Sequence, residues 1–337
     1  MGRTWHHKNV LEEAKFQYET SFAATNQLRD RIVSQSEEPV DFGTAMNVIR
    51  TRKKNRQGDY NNTIQAVQQH LTPIERKALE ISTSPGASAW LTTLPLKEEH
   101  YILNKQEFFD AIFMRYGWTM RRLPTTCACH ENFTIEHALS CHLGGFIIQR
   151  HNNIRNAMAA LLQEVSHDVK IEPALLELNE NETVDFQRSA NRGNEARADV
   201  SCNGFWMRFQ RAFFDIKVTN LLAPSFRDKS VAATLSDSEK QKKRLYNDRV
   251  INIERGTFTP LILGATGGIS RECSIFLSRL SDKISEKRNC RKSEVIAGIR
   301  RKISFILIRS VVACLRGERA SRTFTPDQVT LKDPRMH

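Results

Sequence analysis

Residues 196–218 carry the sequence ARADVSCNGFWMRFQRAFFDIKV. Alternating apolar and polar residues on both sides of Asn203-Gly204 are typical of two β-strands joined by a tight hairpin turn. Successive side chains point to opposite faces of a strand, so Asp215 and Lys217 share one face. Asp199 lies on the polar face of the first strand, and pairing through the hairpin would bring it near Asp215 if the long second strand bends. The stretch therefore predicts a hairpin that carries two carboxylates and a lysine on a free, polar face.

These side chains have the chemistry of a metal-dependent hydrolase. Asp199 and Asp215 can hold Mg²⁺ or Mn²⁺, which prefer oxygen ligands and retain bound water. Lys217 can orient that water or balance charge on a phosphate. Glu164, on a predicted amphipathic helix over 147–167, could complete the catalytic set. The alternative is an exposed strand whose charges are merely solvated.

The surrounding sequence predicts an α/β (α+β) domain. Helical and strand patterns succeed one another from residue 146 onwards, which favours a sheet covered by helices. Before them, Lys105–Tyr116 has the spacing of a helix that buries Phe108, Phe109, Ile112 and Phe113. The predicted parts are a helical region (1–123), a cysteine–histidine segment (124–145), the α/β domain (146–317) and a disordered tail (318–337).

Three cysteines and a histidine form the pattern Cys127-x-Cys129-x7-His137-x3-Cys141. A Cys₃His set is a common structural zinc shell, and four ligands leave no open position for catalysis. His130 and His142 are alternative ligands. The other interpretation is a group of buried thiols with a capping histidine. We predict a structural Zn²⁺ site.

The charge favours a polyanionic partner. The chain has 50 Lys and Arg against 38 Asp and Glu, a net charge of +12. Eleven of the basic residues, with two Glu, lie between Lys287 and Arg322. Such an excess is typical of proteins that bind nucleic acid, although a solvated helix face has the same composition. We expect the basic helix near the C-terminus, including Arg300, Arg301 and Lys302, to contact phosphates.

Other motifs give weaker indications. Lys242 and Tyr246 are one helical turn apart and could contact a phosphate together, or they could form a charged face with one core aromatic. His151 could touch a phosphate or belong to a helix cap. The glycine-rich segment 264–268 lacks the Gly-Lys-Ser/Thr ending of a phosphate loop, so we expect no nucleoside triphosphate binding.

A longer set of motifs resembles the C-terminal part of polyproteins from animal reverse-transcriptase mobile elements. The resemblance covers about residues 85–320. It is carried by Cys127-x-Cys129, Phe133-Thr134, His137-Ala-Leu-Ser-Cys141, Gly144-Gly145-Phe146, Arg150-His151-Asn152, Ala196-Arg-Ala-Asp199, Asn203-Gly204-Phe205-Trp206, Phe213-Phe214-Asp215, Thr257-Phe258-Thr259-Pro260-Leu261 and Ala265-Thr266-Gly267-Gly268.

The resemblance implies a zinc knuckle joined to a restriction-endonuclease-like domain of the PD-(D/E)xK type. It further implies a mixed sheet flanked by helices, with a catalytic metal at the sheet edge and residues 1–123 as a thumb-like helical remnant. The carried catalytic positions are Asp199, Asp215, Lys217 and Glu164. The chain departs from the pattern at two positions: Ala198 replaces the proline of the motif, and Lys242 replaces the glutamine of a Q-x-x-x-Y helix.

We therefore expect a Mg²⁺- or Mn²⁺-dependent endonuclease that hydrolyses DNA and derives from a retrotransposable element. The alternatives are a noncatalytic, zinc-dependent nucleic-acid-binding module and a structural remnant without activity. No apolar run reaches the roughly 18 residues that a membrane span needs, and no secretory signal is visible. We expect an intracellular protein, located in the nucleus, without membrane partners.

Overall fold

The structure, a computed structural model, describes residues 10–36, 39, 41–176 and 196–319. The chain divides into two units, residues 1–71 and residues 72–337. The division falls at Leu71, so residues 72–145 belong to the same unit as the sheet. Residues 320–337, most of the predicted disordered tail, lie outside the described part.

The first unit is helical, as its polar and glycine-poor sequence predicts. Asp41 caps the third helix by accepting a hydrogen bond from the backbone N–H of Gly43 at 2.8 Å. The guanidinium of Arg29 lies 3.6 Å from the ring centroid of Phe22, a cation–π contact. The helices are α1 (Val10–Ala24), α2 (Asn26–Ser34) and α3 (Phe42–Gln69).

The second unit is a mixed α/β unit built around a four-stranded sheet. Its strands are β1 (His167–Ile171), β2 (Val200–Asn203), β3 (Arg211–Thr219) and β4 (Thr257–Gly264). They lie in the order β1-β2-β3-β4, with β1–β2 and β2–β3 antiparallel and β3–β4 parallel. The predicted sheet flanked by helices is confirmed at this level.

Helices cover both faces of the sheet. The helices of the second unit are α4 (Pro73–Thr83), α5 (Lys105–Tyr116), α6 (Ile135–Ala138), α7 (Phe146–Gln163), α8 (Val231–Asn252), α9 (Arg271–Arg288) and α10 (Lys292–Arg316). On one face, α7, α9 and α10 pack against Phe214 and Leu261. On the other, Tyr246 and Val250 of α8 pack against Phe213. The face that carries Asp215 is therefore covered, and the prediction that it is free is wrong.

The connection between β2 and β3 differs from the predicted two-residue turn. Asn203 pairs with Arg211, and residues 204–210 form the loop between them. Phe205 leaves the strand and is completely buried, with its ring centroid 5.5 Å from that of Phe214 and 5.0 Å from that of Phe276. Burial of this aromatic ring in the core explains why the chain forms a longer loop.

Truncation of the buried ring provides a test of this loop. We expect Phe205→Ala to lower the free energy of unfolding by about 3–5 kcal/mol, because it leaves a cavity in the core. Phe209 of the same loop is 89% exposed, so Phe209→Ala should change it by less than about 0.5 kcal/mol. Urea denaturation measures both. Equal effects of the two substitutions would contradict the buried position of Phe205.

Helix α5 begins and ends where the sequence predicts, between the capping residue Asn104 and Gly117, whose φ is +65°. Its buried face is different from the predicted one. Phe108 and Phe109 are about half exposed, whereas Asp110 is buried and paired with Arg316 of α10. The carboxylate of Asp110 accepts hydrogen bonds of 2.9 and 2.7 Å from that guanidinium. This bidentate ion pair selects the face of α5 that turns inward.

Removal of Asp110 would leave the partly buried guanidinium of Arg316 without its anionic partner, with only the carbonyls of Arg121 and Arg122 as acceptors. We expect Asp110→Ala to lower the free energy of unfolding by about 2–3 kcal/mol, because two hydrogen bonds to a charged group are lost. The control is Asp282→Ala, which removes a partly exposed ion pair with Lys292 and should cost less than about 1 kcal/mol. The melting temperature of Asp110→Ala should be clearly lower than that of Asp282→Ala. Equal melting temperatures would show that the Asp110–Arg316 pair does not stabilise the fold.

Candidate active site and metal centre

Strand pairing brings Asp199 close to Asp215. Val200 pairs with Phe214, so the residue that precedes β2 lies beside the middle of β3. The backbone N–H of Asp199 donates to the carbonyl of Phe214 at 3.2 Å. Its carboxylate accepts a hydrogen bond from the N–H of Ile216 at 2.5 Å. The two predicted acidic residues thus meet on one face of the sheet.

Asp215 is the most buried charged residue of this group, with 4% of its surface exposed. Burial raises the pKa of its carboxyl group; the ammonium of Lys242 opposes that rise, and the nearby carboxylate of Asp199 adds to it. Its Oδ2 atom lies 2.8 Å from the Nζ of Lys242 but receives no hydrogen bond of good geometry. A buried carboxylate oxygen with unused acceptor capacity is what a cation ligand requires.

Lys242 reaches this carboxylate from α8. Its Nζ donates to Asp215 Oδ1 at 3.1 Å and lies 5.4 Å from the ring centroid of Tyr246. Burial opposes its charge, but the Asp215 carboxylate, together with Tyr246 and Asp199, outweighs that effect and raises the pKa of Lys242. Lys242 therefore stays an ammonium ion and neutralises Asp215.

Lys217 lies two residues after Asp215 on the same face. Its Nζ donates to the amide oxygen of Gln241 at 3.2 Å. Burial and the neighbouring charge of Lys242 lower the pKa of Lys217, and Asp215 acts in the opposite direction. The Gln241 side chain holds the ammonium beside the acidic pair. Sequence reasoning missed Gln241, although it directly precedes Lys242.

His151 joins the group from the first turns of α7. Its Nε2 lies 3.1 Å from Oδ1 of Asp199, and this contact fixes the carboxylate together with the N–H of Ile216. In the sequence His151 is a possible phosphate contact or cap, and the structure places it on Asp199. The Arg150-His151-Asn152 motif is the signal that marks this position.

Glu164 lies at the opposite end of α7, away from Asp199 and Asp215. It follows the last residue of α7, thirteen residues after His151, which corresponds to about 20 Å along the helix. Its carboxylate accepts hydrogen bonds of 3.1 and 2.6 Å from the guanidinium of Arg288. The expectation that Glu164 completes the acidic group is therefore corrected. The helix places its N-terminal end, and not its C-terminal end, against Asp199.

The cysteine–histidine segment forms a second cluster, with Cys127, Cys129, His137 and Cys141 as its members. Their ligand atoms all lie within 4.8 Å of one another. The Sγ atom of Cys141 is 3.8 Å from that of Cys127 and 3.8 Å from that of Cys129. Tetrahedral zinc with bonds of about 2.3 Å separates two sulfur atoms by about 3.8 Å, so the spacing could hold such an ion.

Local structure explains this spacing. Cys127 and Cys129 lie on a turn closed by a hydrogen bond of 2.8 Å from the N–H of Cys127 to the carbonyl of Glu131. Thr134 caps α6, which carries His137, and Cys141 follows one helical turn later. Burial opposes ionisation of Cys127, but hydrogen bonds from the Cys129 backbone and from His137 lower its pKa to about 6. A thiolate is the form that ligates metal.

The two alternative histidine ligands do not belong to the four-residue cluster. His130 and His142 are exposed and lie outside the cluster of the four ligand atoms. Leu139, between the third and fourth ligands, is buried with Cys314 and Leu315 of α10. The cluster is thereby attached to the core of the second unit.

The predicted phosphate-binding residues have different surroundings. Tyr246 is 9% exposed and stacks on Phe258 at 5.3 Å, so it is a core residue. Arg300 lies with its aliphatic stem near Gly86 and lines an apolar cavity, whereas Lys302 is exposed. Arg301 is half-buried.

Much of the basic charge between Lys287 and Arg322 has structural partners. Arg309 donates to the carbonyls of His100 and Ile102 at 2.6 and 3.0 Å. Lys292 forms an ion pair with Asp282 at 2.7 Å. Arg288 and Arg316 are paired with Glu164 and Asp110, as described above. Several basic side chains of the segment therefore join helices, while Lys287, Arg288, Arg291, Lys292 and Lys302 are exposed to solvent.

No helix of the described residues is long and apolar enough to cross a membrane. Neither a scan of the chain against models of known protein families nor a search among curated proteins finds a match. The function must therefore be argued from the two side-chain clusters.

Proposed function

We propose that the chain is a metal-dependent nuclease that hydrolyses phosphodiester bonds in DNA. The observation that carries the proposal is the convergence of Asp199 and Asp215 from neighbouring strands, with Lys217 two residues further on the same face. The mixed sheet flanked by helices is compatible with a restriction-endonuclease-like fold. Derivation from a retrotransposable element and a nuclear location belong to the same proposal and rest on the sequence resemblance and the basic charge.

The donor set suits Mg²⁺ or Mn²⁺. Asp199 and Asp215 offer hard oxygen ligands, and the Oδ2 of Asp215 is buried without a well-directed hydrogen bond. A bound divalent ion would polarise the phosphate and lower the pKa of a coordinated water. The other tasks fall to side chains of the chain.

Each of these side chains has a distinct role in the proposed reaction. His151 and the N–H of Ile216 hold the Asp199 carboxylate in place. Lys217, held by Gln241, is close enough to the acidic pair to stabilise negative charge that develops on the phosphate. Water attacks phosphorus and releases a proton to solvent, the bond to the leaving oxygen breaks, and that oxygen takes a proton from solvent.

We also propose that the cysteine–histidine cluster holds a structural zinc ion. Three thiols and one imidazole form a closed four-ligand set without a free position for a substrate. The cluster would thus stabilise the second unit and would take no part in hydrolysis.

One observation favours a second candidate, a noncatalytic nucleic-acid-binding module. Lys242 neutralises Asp215 at 2.8 Å, as it could in a nuclease that no longer binds its catalytic ion. Such a module would retain the basic surface and the zinc cluster.

Cleavage assays separate the two candidates. The zinc-loaded protein is incubated with supercoiled plasmid, single-stranded DNA and RNA, in Mg²⁺, Mn²⁺ or EDTA, and DNA binding is measured over a series of salt concentrations. A nuclease cuts DNA only with the divalent ion. Binding that weakens with salt, without any cutting in either metal, would overturn the nuclease proposal and support the binding module.

A further inference from the structure

The acidic cluster, formed by Asp199, Asp215, Lys217 and Lys242, carries equal numbers of negative and positive charges. Asp199 and Asp215 contribute two carboxylates, and Lys217 and Lys242 contribute two ammonium groups. The carboxylate of Asp215 interacts with both of these ammonium groups and with the carboxylate of Asp199. A buried group that is already neutral gains little from a divalent ion unless one of its cations leaves.

Lys242 is the cation that directly contacts the Asp215 carboxylate. Its Nζ lies 2.8 Å from one carboxylate oxygen of Asp215 and 3.1 Å from the other. A divalent ion ligated by Asp215 would be about 2.1 Å from the same oxygens, so the ion and the ammonium would be adjacent and would repel each other. Lys217, by contrast, donates its hydrogen bond to Gln241.

The side chain of Lys242 is partly exposed to solvent. Its side chain is 22% exposed, whereas that of Asp215 is 6% exposed, so the lysine extends from the surface of α8 into the site. It has four rotatable bonds and a strongly hydrated head. A phosphodiester brought to the cluster would offer this ammonium a new anionic partner.

We propose that Lys242 is a competing cation that holds the metal site closed until a phosphate arrives. This inference rests on the proposed nuclease function. Without nucleic acid, Lys242 neutralises Asp215 and weakens metal binding. With nucleic acid, Lys242 pairs with the phosphate, Asp215 is released, and metal and phosphate bind cooperatively. The departure of the chain from the Q-x-x-x-Y pattern at this position then has a physical consequence.

The first test is metal affinity. Mn²⁺ is titrated calorimetrically into the zinc-loaded full chain and into Lys242→Gln, which keeps a hydrogen-bond donor but removes the charge. We expect the variant to bind Mn²⁺ about tenfold more tightly. The control is Lys243→Gln, which removes the same charge from the same helical turn but from an ion pair with Glu272. It should leave the affinity unchanged.

The second test is coupling between metal and DNA. The same titrations are repeated with a saturating phosphorothioate DNA duplex. Wild type should gain at least about fivefold in Mn²⁺ affinity from the duplex, and Lys242→Gln should gain less than about twofold. Circular dichroism of the variant checks that it is folded.

The outcomes distinguish this inference from the nuclease proposal. If wild type cuts DNA and binds Mn²⁺, but Lys242→Gln binds it with the same affinity, then Lys242 does not compete and the inference is overturned while the nuclease stands. If neither protein binds Mn²⁺ and wild type does not cut, both proposals fall.

Discussion

Cys141→Ser is expected to lose bound zinc and to lower the melting temperature of the chain by about 10 °C or more. Structural zinc sites contribute roughly 10–16 kcal/mol of apparent binding free energy, and a loss of only a few kcal/mol shifts the transition of a domain of this size by that amount. The effect should be large because Leu139, between two of the ligands, packs with Cys314 and Leu315 in the core.

Atomic emission and calorimetry measure this prediction. Wild type should contain one zinc per chain, and removal with a chelator should lower its melting temperature as the substitution does. The matched control is Cys290→Ser, since Cys290 is an exposed cysteine outside the cluster. Wild type that is zinc-free and fully stable would contradict the prediction and leave the four side chains as a packed thiol group.

The second large effect is expected for Asp215→Asn, which should weaken Mn²⁺ binding by more than about 100-fold. The substitution keeps the size of the side chain and its ability to accept a hydrogen bond, but it removes the charge that a divalent ion requires. Because Asn still contacts Lys242, we expect the variant to remain folded.

Calorimetric titration of zinc-loaded protein measures the change, and Asp237→Asn is the control. Asp237 lies on the exposed surface of α8, in an ion pair with Lys229. Its substitution by Asn removes the same charge without changing the acidic cluster. Identical Mn²⁺ affinities for Asp215→Asn and wild type would place the metal elsewhere.

Features that depend on neighbouring residues could be predicted from the sequence. Thr72 and Glu75 form the capping box that their spacing indicates, and α4 begins there. The bounds of α5 likewise follow from local chemistry. Hydrogen bonds across three or four residues are sufficient for these helix ends, so they require no knowledge of the tertiary structure. The four ligands are indicated by their residue types and spacing, although folding must bring Cys141 back to Cys127.

Features that depend on packing between elements could not be predicted in the same way. Asn-Gly permits a tight turn, but burial of Phe205 against Phe276 favours the longer loop. The pairing of Asp110 with Arg316 decides which face of α5 is buried. These contacts join residues far apart in the chain, and no local pattern encodes them.

The candidate site also combines features that local patterns predict with features that depend on packing between elements. Asp199, Asp215 and Lys217 follow from strand alternation, and the pairing of β2 with β3 brings them together. The sequence pattern indicates Glu164 as the helical partner, whereas in the structure His151 contacts Asp199. Both residues belong to the same amphipathic segment. Which end of a helix meets the sheet is a property of the folded unit.

Single-turnover cleavage of supercoiled plasmid in Mn²⁺ tests the central claim most directly, with wild type, Asp215→Asn and Asp237→Asn compared side by side. We predict that wild type and Asp237→Asn cut at the same rate, that EDTA stops both, and that Asp215→Asn is slower by about a thousandfold or more. Cutting by Asp215→Asn at the wild-type rate would contradict the claim that the Asp199–Asp215 cluster hydrolyses phosphodiesters.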